Sequence, residues 1–202
     1  MSEVPGADPA RPCGLRERKK ARTRAAIRQH ALRLFREQGY TETTVEQIAE
    51  AAEVSPSTFF RYFPTKEDVV LQDDFDPIAI AKFEALPTDM HPVAALRAAM
   101  RETFAEAPAW EIEQWHELSR LTMSVPELRA RALDEYLRSV RLAAQLMAKR
   151  LGRDPGDIAI RTMAGAVVGV GLSAMVMGME DPEADVVDLM DAGLARLEAL
   201  PL

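Results

Sequence analysis

The 202-residue sequence predicts an all-α protein: a small N-terminal unit of three helices, then an antiparallel helical bundle. Three observations carry this. Apolar residues recur at helical spacing along most of the chain, and no strand-like alternation interrupts them. Prolines stand at or near the start of most apolar-periodic segments, where a missing N–H costs nothing. Only short turns such as "GRDPGD" separate the later segments, as in a bundle of antiparallel neighbours.

Residues 1–13 are rich in Pro, Gly and Ala and lack periodicity, so they read as a disordered arm. Residues 15–38 form the first helix, with Ile27, Ala31, Leu34 and Phe35 on one stripe and arginines opposite. Gly39 follows as a left-handed cap. Residues 44–52 form a short second helix, with Thr44 as N-cap and Gln47 completing a capping box. The segment "EVS" breaks it. Ser55 caps a third helix, Pro56 opens it and Pro64 closes it. Thr65 starts a fourth helix over "KEDVVLQDDF". Further helices are read at 77–86, 92–107, 109–123, 126–151, 155–179 and 182–200.

Charge is segregated. The formal net charge is -7, yet from Arg11 to Arg36 ten basic residues face one acid, Glu17. From Leu71 onward 13 basic residues face 22 acidic ones. Salt screens charges beyond about 10 Å, so the local excess governs what approaches, and the N-terminal end is built to meet a polyanion. One cysteine, Cys13, allows no internal disulfide and suits a reducing, cytoplasmic setting. The N-terminus has no apolar core of the signal-peptide kind.

A capped helix, a short break and a second short helix make a helix-turn-helix, here at about 43–62, whose second helix enters the major groove. On that helix Phe59 and Phe63 lie four apart and share an inner face, whereas Phe60 and Tyr62 point elsewhere. Ser57 and Thr58 lie in the first turn and can reach base edges or phosphates. Phe60 can press on a thymine methyl or a sugar. Thr44, at a helix N-terminus, and Lys66 suit phosphates. Arg22, Arg24, Ser55, Arg61 and Tyr62 complete the candidate DNA contacts.

The stretch "ALRLFREQGYTETTVEQIAEAAEVSPSTFFRYFPTKEDVV" resembles the N-terminal domain of the tetracycline-repressor (TetR) family of transcriptional regulators, a likeness running from about Thr23 to Val70. The resemblance implies a DNA-binding domain at 14–64 and a ligand-binding and dimerisation domain at 65–202. It implies a homodimeric repressor on palindromic double-stranded operator DNA, released by a small effector. It also implies that Phe60 stands where a DNA-contacting tyrosine is usual, that Tyr62 matches a second contact position, and that Ser57 replaces a glycine. The last two helices would form the dimer's four-helix bundle, with Gly165, Gly169, Leu172, Met175, Leu189 and Leu197 as candidate interface residues.

Phe104, Trp110, Trp115, Met123, Tyr136, Met147 and Met163 are candidates for an apolar or amphipathic effector pocket, although residues of these types are more often ordinary core. Glu113, His116 and Glu117 share a helix face, but no second cluster supplies further metal ligands, so no metal or other cofactor is expected. No serine has an evident histidine–acid pairing, and no catalytic residue is assigned. Residues 162–179 are uncharged for eighteen positions, long enough to span a membrane. Acidic flanks and the absence of basic belts favour burial in a bundle and no membrane partner. The alternative to a regulator is a small-molecule-binding or enzymatic helical bundle with a vestigial DNA-binding domain.

Overall fold

The computed structural model describes residues 15–72, 75–181 and 184–199, with side chains from residue 19 onward. The arm at 1–13 therefore lies outside the described residues, as do Pro182 and Leu200 at the ends of the last expected helix. All regular structure among the described residues is α-helical. The chain divides into two compact units, Met1–Val69 and Val70–Leu202.

In the first unit α1 (Leu15–Gln38), α2 (Val45–Ala51) and α3 (Pro56–Tyr62) enclose Ile27, Ala31, Leu32, Phe35, Ile48, Phe59 and Phe63, all buried. Leu32, rather than Leu34, fills the inner stripe of α1. Each short helix is fastened by its caps. Thr44 Oγ1 accepts from Gln47 N, and Gln47 Oε1 accepts from Thr44 N, the reciprocal box. Gln38 Nε2 also donates to Gln47 Oε1, tying the end of α1 to the start of α2. Ser55 Oγ accepts from Thr58 N, with Pro56 in the first turn. Gly39 is left-handed at φ 87°.

The turn between α2 and α3 has a feature that spacing alone does not show. Val54 N donates to Ala49 O and Glu53 N donates to Glu50 O, the paired closing bonds of a Schellman turn. The pivot is Glu53, left-handed at φ 54° without being glycine. Such a residue is held there at a cost because its Cβ crowds the following carbonyl.

α4 (Lys66–Leu71) is shorter than expected. Thr65 and Asp68 form a second reciprocal box at its start. Thr65 N donates to Asp68 Oδ2 at 2.9 Å, and Asp68 N donates to Thr65 Oγ1 at 3.2 Å.

The second unit holds α5 (Phe75–Ala85), α6 (Pro92–Glu106), α7 (Ala109–Ser124), α8 (Pro126–Leu151), α9 (Ile158–Glu180) and α10 (Val186–Glu198). α9 starts at Ile158, not at 155, because Asp157 rather than the proline caps it, accepting from Ala159 N. α8 and α9 run antiparallel. Met147 and Ala148, late in α8, share a cluster with Ile160 and Met163, early in α9, whereas Tyr136 reaches Met175 near the other end. α10 lies against α9 and α6. Arg97 of α6 grips α10 through a two-pronged pair with Asp191, at 2.7 and 2.9 Å, and a bond to Glu198. Arg150 of α8 donates to the carbonyls of Met90, Phe83, Leu86 and Pro87, closing off the end of α5 and the turn after it.

Candidate nucleic-acid interface

The outward face of α3 carries Ser57, Phe60 and Arg61, all exposed. Phe59 and Phe63 are 0 % exposed, and Phe60 is 48 % exposed with its ring edge-on to Phe59. An aromatic so exposed on a short polar helix is available to a partner surface. Thr58 is half-buried, and its hydroxyl is bonded to Ser55 Oγ at 3.0 Å, so both hydroxyls serve the start of the helix. Tyr62 is half-buried beneath Arg61, whose guanidinium lies 5.4 Å from its ring centre.

The basic residues divide by occupation. Arg22 is exposed. Arg24 packs over the Phe63 ring at 4.7 Å and donates to Tyr62 O. Arg28 is 4 % exposed and donates to Val69 O, so it holds the unit together instead of adding to its outer field. Lys66 Nζ donates to Tyr40 O and Thr43 O, both at 2.9 Å, and stands 4.2 Å from the Tyr40 ring centre. An ammonium has three donors, so one remains for a phosphate. Spacing gave no sign of this use of Lys66, because the two carbonyls lie 26 and 23 residues away.

In the second unit the seven candidate pocket residues stand in different surroundings. Trp110 is 55 % exposed on the first turn of α7. Met147 and Met163 are buried in the α8–α9 cluster. Phe104 and Trp115 pack with Phe75, ring centres 4.8–6.5 Å apart, so they fill the interior themselves. Met123 is buried, and Tyr136 is half-buried with its hydroxyl on Met175 Sδ. Burial holds the Tyr136 hydroxyl above its ordinary range. No group of residues suited to hold a metal occurs among the described residues.

The candidate interface residues also separate. Met175 and Leu189 pack on the Phe104–Trp115 cluster and Leu197 on the α8–α9 cluster, because α10 folds back onto its own chain. Gly165, Gly169 and Leu172 remain on the outer side of α9. A Cβ at Gly165 or Gly169 would meet nothing within 4 Å. The close approach of α9 to α10 rests instead on two other glycines. A Cβ at Gly178 would stand 2.5 Å from Val186, and one at Gly193 2.5 Å from Val170. α9 is the one helix among the described residues long and apolar enough to cross a membrane, and 28 % of its most apolar stretch is buried within the chain.

Known families match both units. The family described as "Bacterial regulatory proteins, tetR family" matches residues 27–72, and that described as "MftR C-terminal domain" matches residues 90–200. The chain belongs to the TetR family, a family of DNA-binding transcriptional regulators and not of enzymes. It is 40 % identical over 151 residues to the HTH-type transcriptional regulator TcmR of Streptomyces glaucescens, covering 71 % of this chain and 67 % of that one. It is 28 % identical to the mycofactocin biosynthesis transcriptional regulator MftR assigned in Mycobacterium tuberculosis, covering 89 % and 95 %. Among solved structures, Thermus thermophilus FadR, a TetR-family transcriptional repressor in complex with lauroyl-CoA, superposes with a TM-score of 0.55 at 27 % identity, covering 89 % and 96 %.

Proposed function

We propose that the protein is a cytoplasmic, homodimeric repressor that leaves its operator when a small apolar or amphipathic effector binds the second unit. The observation that carries the reading is the Schellman-locked turn, which presents α3 with Ser57, Phe60 and Arg61 outward beside a basic α1. In this reading Ser57, Thr58, Phe60 and Arg61 meet the groove. Arg22, Arg24, Thr44, Ser55, Tyr62 and Lys66 meet or position the backbone. A dimer would set two such helices on half-sites about 34 Å apart, on a palindrome.

The dimer seam we assign runs along the outer side of α9. Ile158, Thr162, Gly165, Gly169, Leu172 and Val176 follow one another at alternating spacings of four and three, the repeat of a helix–helix seam. The empty space beside both glycines supports a close partner from outside the chain. An effector acts by preferring one of two dimer states, and shifts the balance only by its difference in affinity for them.

The test is anisotropy of labelled DNA from upstream of the protein's own gene against unrelated DNA, at several salt concentrations. Preferential binding that weakens steeply with salt is expected, with Arg61→Ala changing base preference and Arg22→Ala weakening all sequences alike. Equal binding to both DNAs would remove the operator reading. Sedimentation showing a monomer at micromolar concentration would remove the dimer.

A further inference from the structure

Three helices converge on Met175 of α9. Its sulfur accepts from Tyr136 Oη of α8 at 3.3 Å, a weak acceptor for a half-buried hydroxyl. Its side chain packs on the Phe104–Trp115 cluster of α6 and α7. It also lines a void of about 30 Å³ together with His116, Ser119, Arg120, Gly178 and Val186. The Nε2 atom of His116, on α7, is buried and has no hydrogen-bond partner among the described residues. A buried polar atom left unsatisfied is costly, so this site would gain from a ligand atom.

We propose that Met175 is a displaceable plug, and that the effector is an uncharged aromatic hydroxyl compound whose ring takes the space of Met175 beside Phe104 and Trp115 while its hydroxyl bonds His116 Nε2 and Tyr136 Oη. The proposal rests on the effector reading above and names the ligand class of that site. A void of this size holds a water or two, so a larger guest must move something. Methionine is unbranched and repacks readily, which suits the part that moves. The aromatic cluster favours a ring, by edge and offset contacts.

The polar partner should be neutral. Burial holds the His116 imidazole below its ordinary range, ahead of the opposing influence of Asp185 and the reinforcing one of Arg120. Neutral imidazole offers Nε2 as one donor or one acceptor, which matches a hydroxyl. A carboxylate would have to shed its hydration at a site where the negative charge of Asp185 outweighs the positive charge of Arg120.

The experiment follows quenching of Trp115 fluorescence in the full chain carrying Trp110→Phe, without DNA, on adding 2-naphthol, 2-methoxynaphthalene or 2-naphthoate. 2-Naphthol is expected to bind on the order of tenfold more tightly than its methyl ether, the factor for one good hydrogen bond. His116→Phe and Tyr136→Phe should each abolish most of that preference, His116→Gln should retain part of it, and Met175→Ala should tighten naphthol binding. Equal binding of naphthol and ether, strongest binding of naphthoate, a preference that survives both substitutions, or no quenching up to the solubility limit would each overturn the proposal. Operator binding is measured separately. A protein that binds its operator but ignores naphthol loses this inference alone, and one that binds naphthol but no DNA loses the operator reading alone.

Discussion

The two units solve the same problem, fixing helices, by different means. In the first, α2 and α3 have seven residues each, too few to be stable alone, and they are fastened by caps: Thr44 with Gln47 and Ser55 with Thr58. The short α4 that follows is fastened in the same way, Thr65 with Asp68. In the second, α8 and α9 have 26 and 23 residues and need little help at their ends. There the order comes from side chains reaching across helices, as Arg97 and Arg150 do. Local bonds fix a surface that must be presented in one shape, whereas an interior of aromatics and methionines is left able to repack.

The largest expected effect contrasts neighbours on α3. Phe59→Ala should cost about 3–5 kcal/mol in thermal unfolding of the first unit. Phe60→Ala should cost under about 0.5 kcal/mol and lower operator affinity instead. If both changed stability equally, the division of the helix into an inner and an outer face would be broken.

Arg150→Ala should cost about 3 kcal/mol, since it strands several carbonyls at once, and should leave operator contacts intact. Next come the glycines. Gly178→Ala should destabilise by about 1–3 kcal/mol through its collision with Val186. Gly165→Ala should leave the single chain as stable, yet weaken dimerisation in sedimentation experiments. Glu53→Gly should stabilise the first unit by roughly 1 kcal/mol, read as a higher melting temperature, by relieving a left-handed residue.

The smallest effect concerns pH. Hydrogen bonds from Arg97 hold the Asp191 carboxyl below its ordinary range. Its contribution is therefore present above about pH 4 and is lost as the pH falls through the lowered value. Asp191→Asn should lower the melting temperature at pH 7 and match the parent protein in strong acid.

Much of the first unit was legible because its signals are local. A capping box, a proline at the start of a helix and a glycine after its end are each written within four residues. The inward phenylalanines followed from helical spacing alone. Lys66 was not legible in the same way, because its carbonyl partners are set by how the loop after α1 returns to α4. The second unit hid more. Trp110 and Trp115 look alike in sequence, on the same helix, yet one is exposed and the other buried.

The helices, the helix-turn-helix, the segregation of charge and the family resemblance can all be read from the chain, since they depend on residues close along it. It takes the packed chain to show that α9 meets α10 at Gly178 and Gly193. The same packing brings Met175 beside Tyr136 and, in one void, beside His116. Which side chains meet depends on how helices rotate and cross, and that is settled by the sum of many contacts distant in sequence.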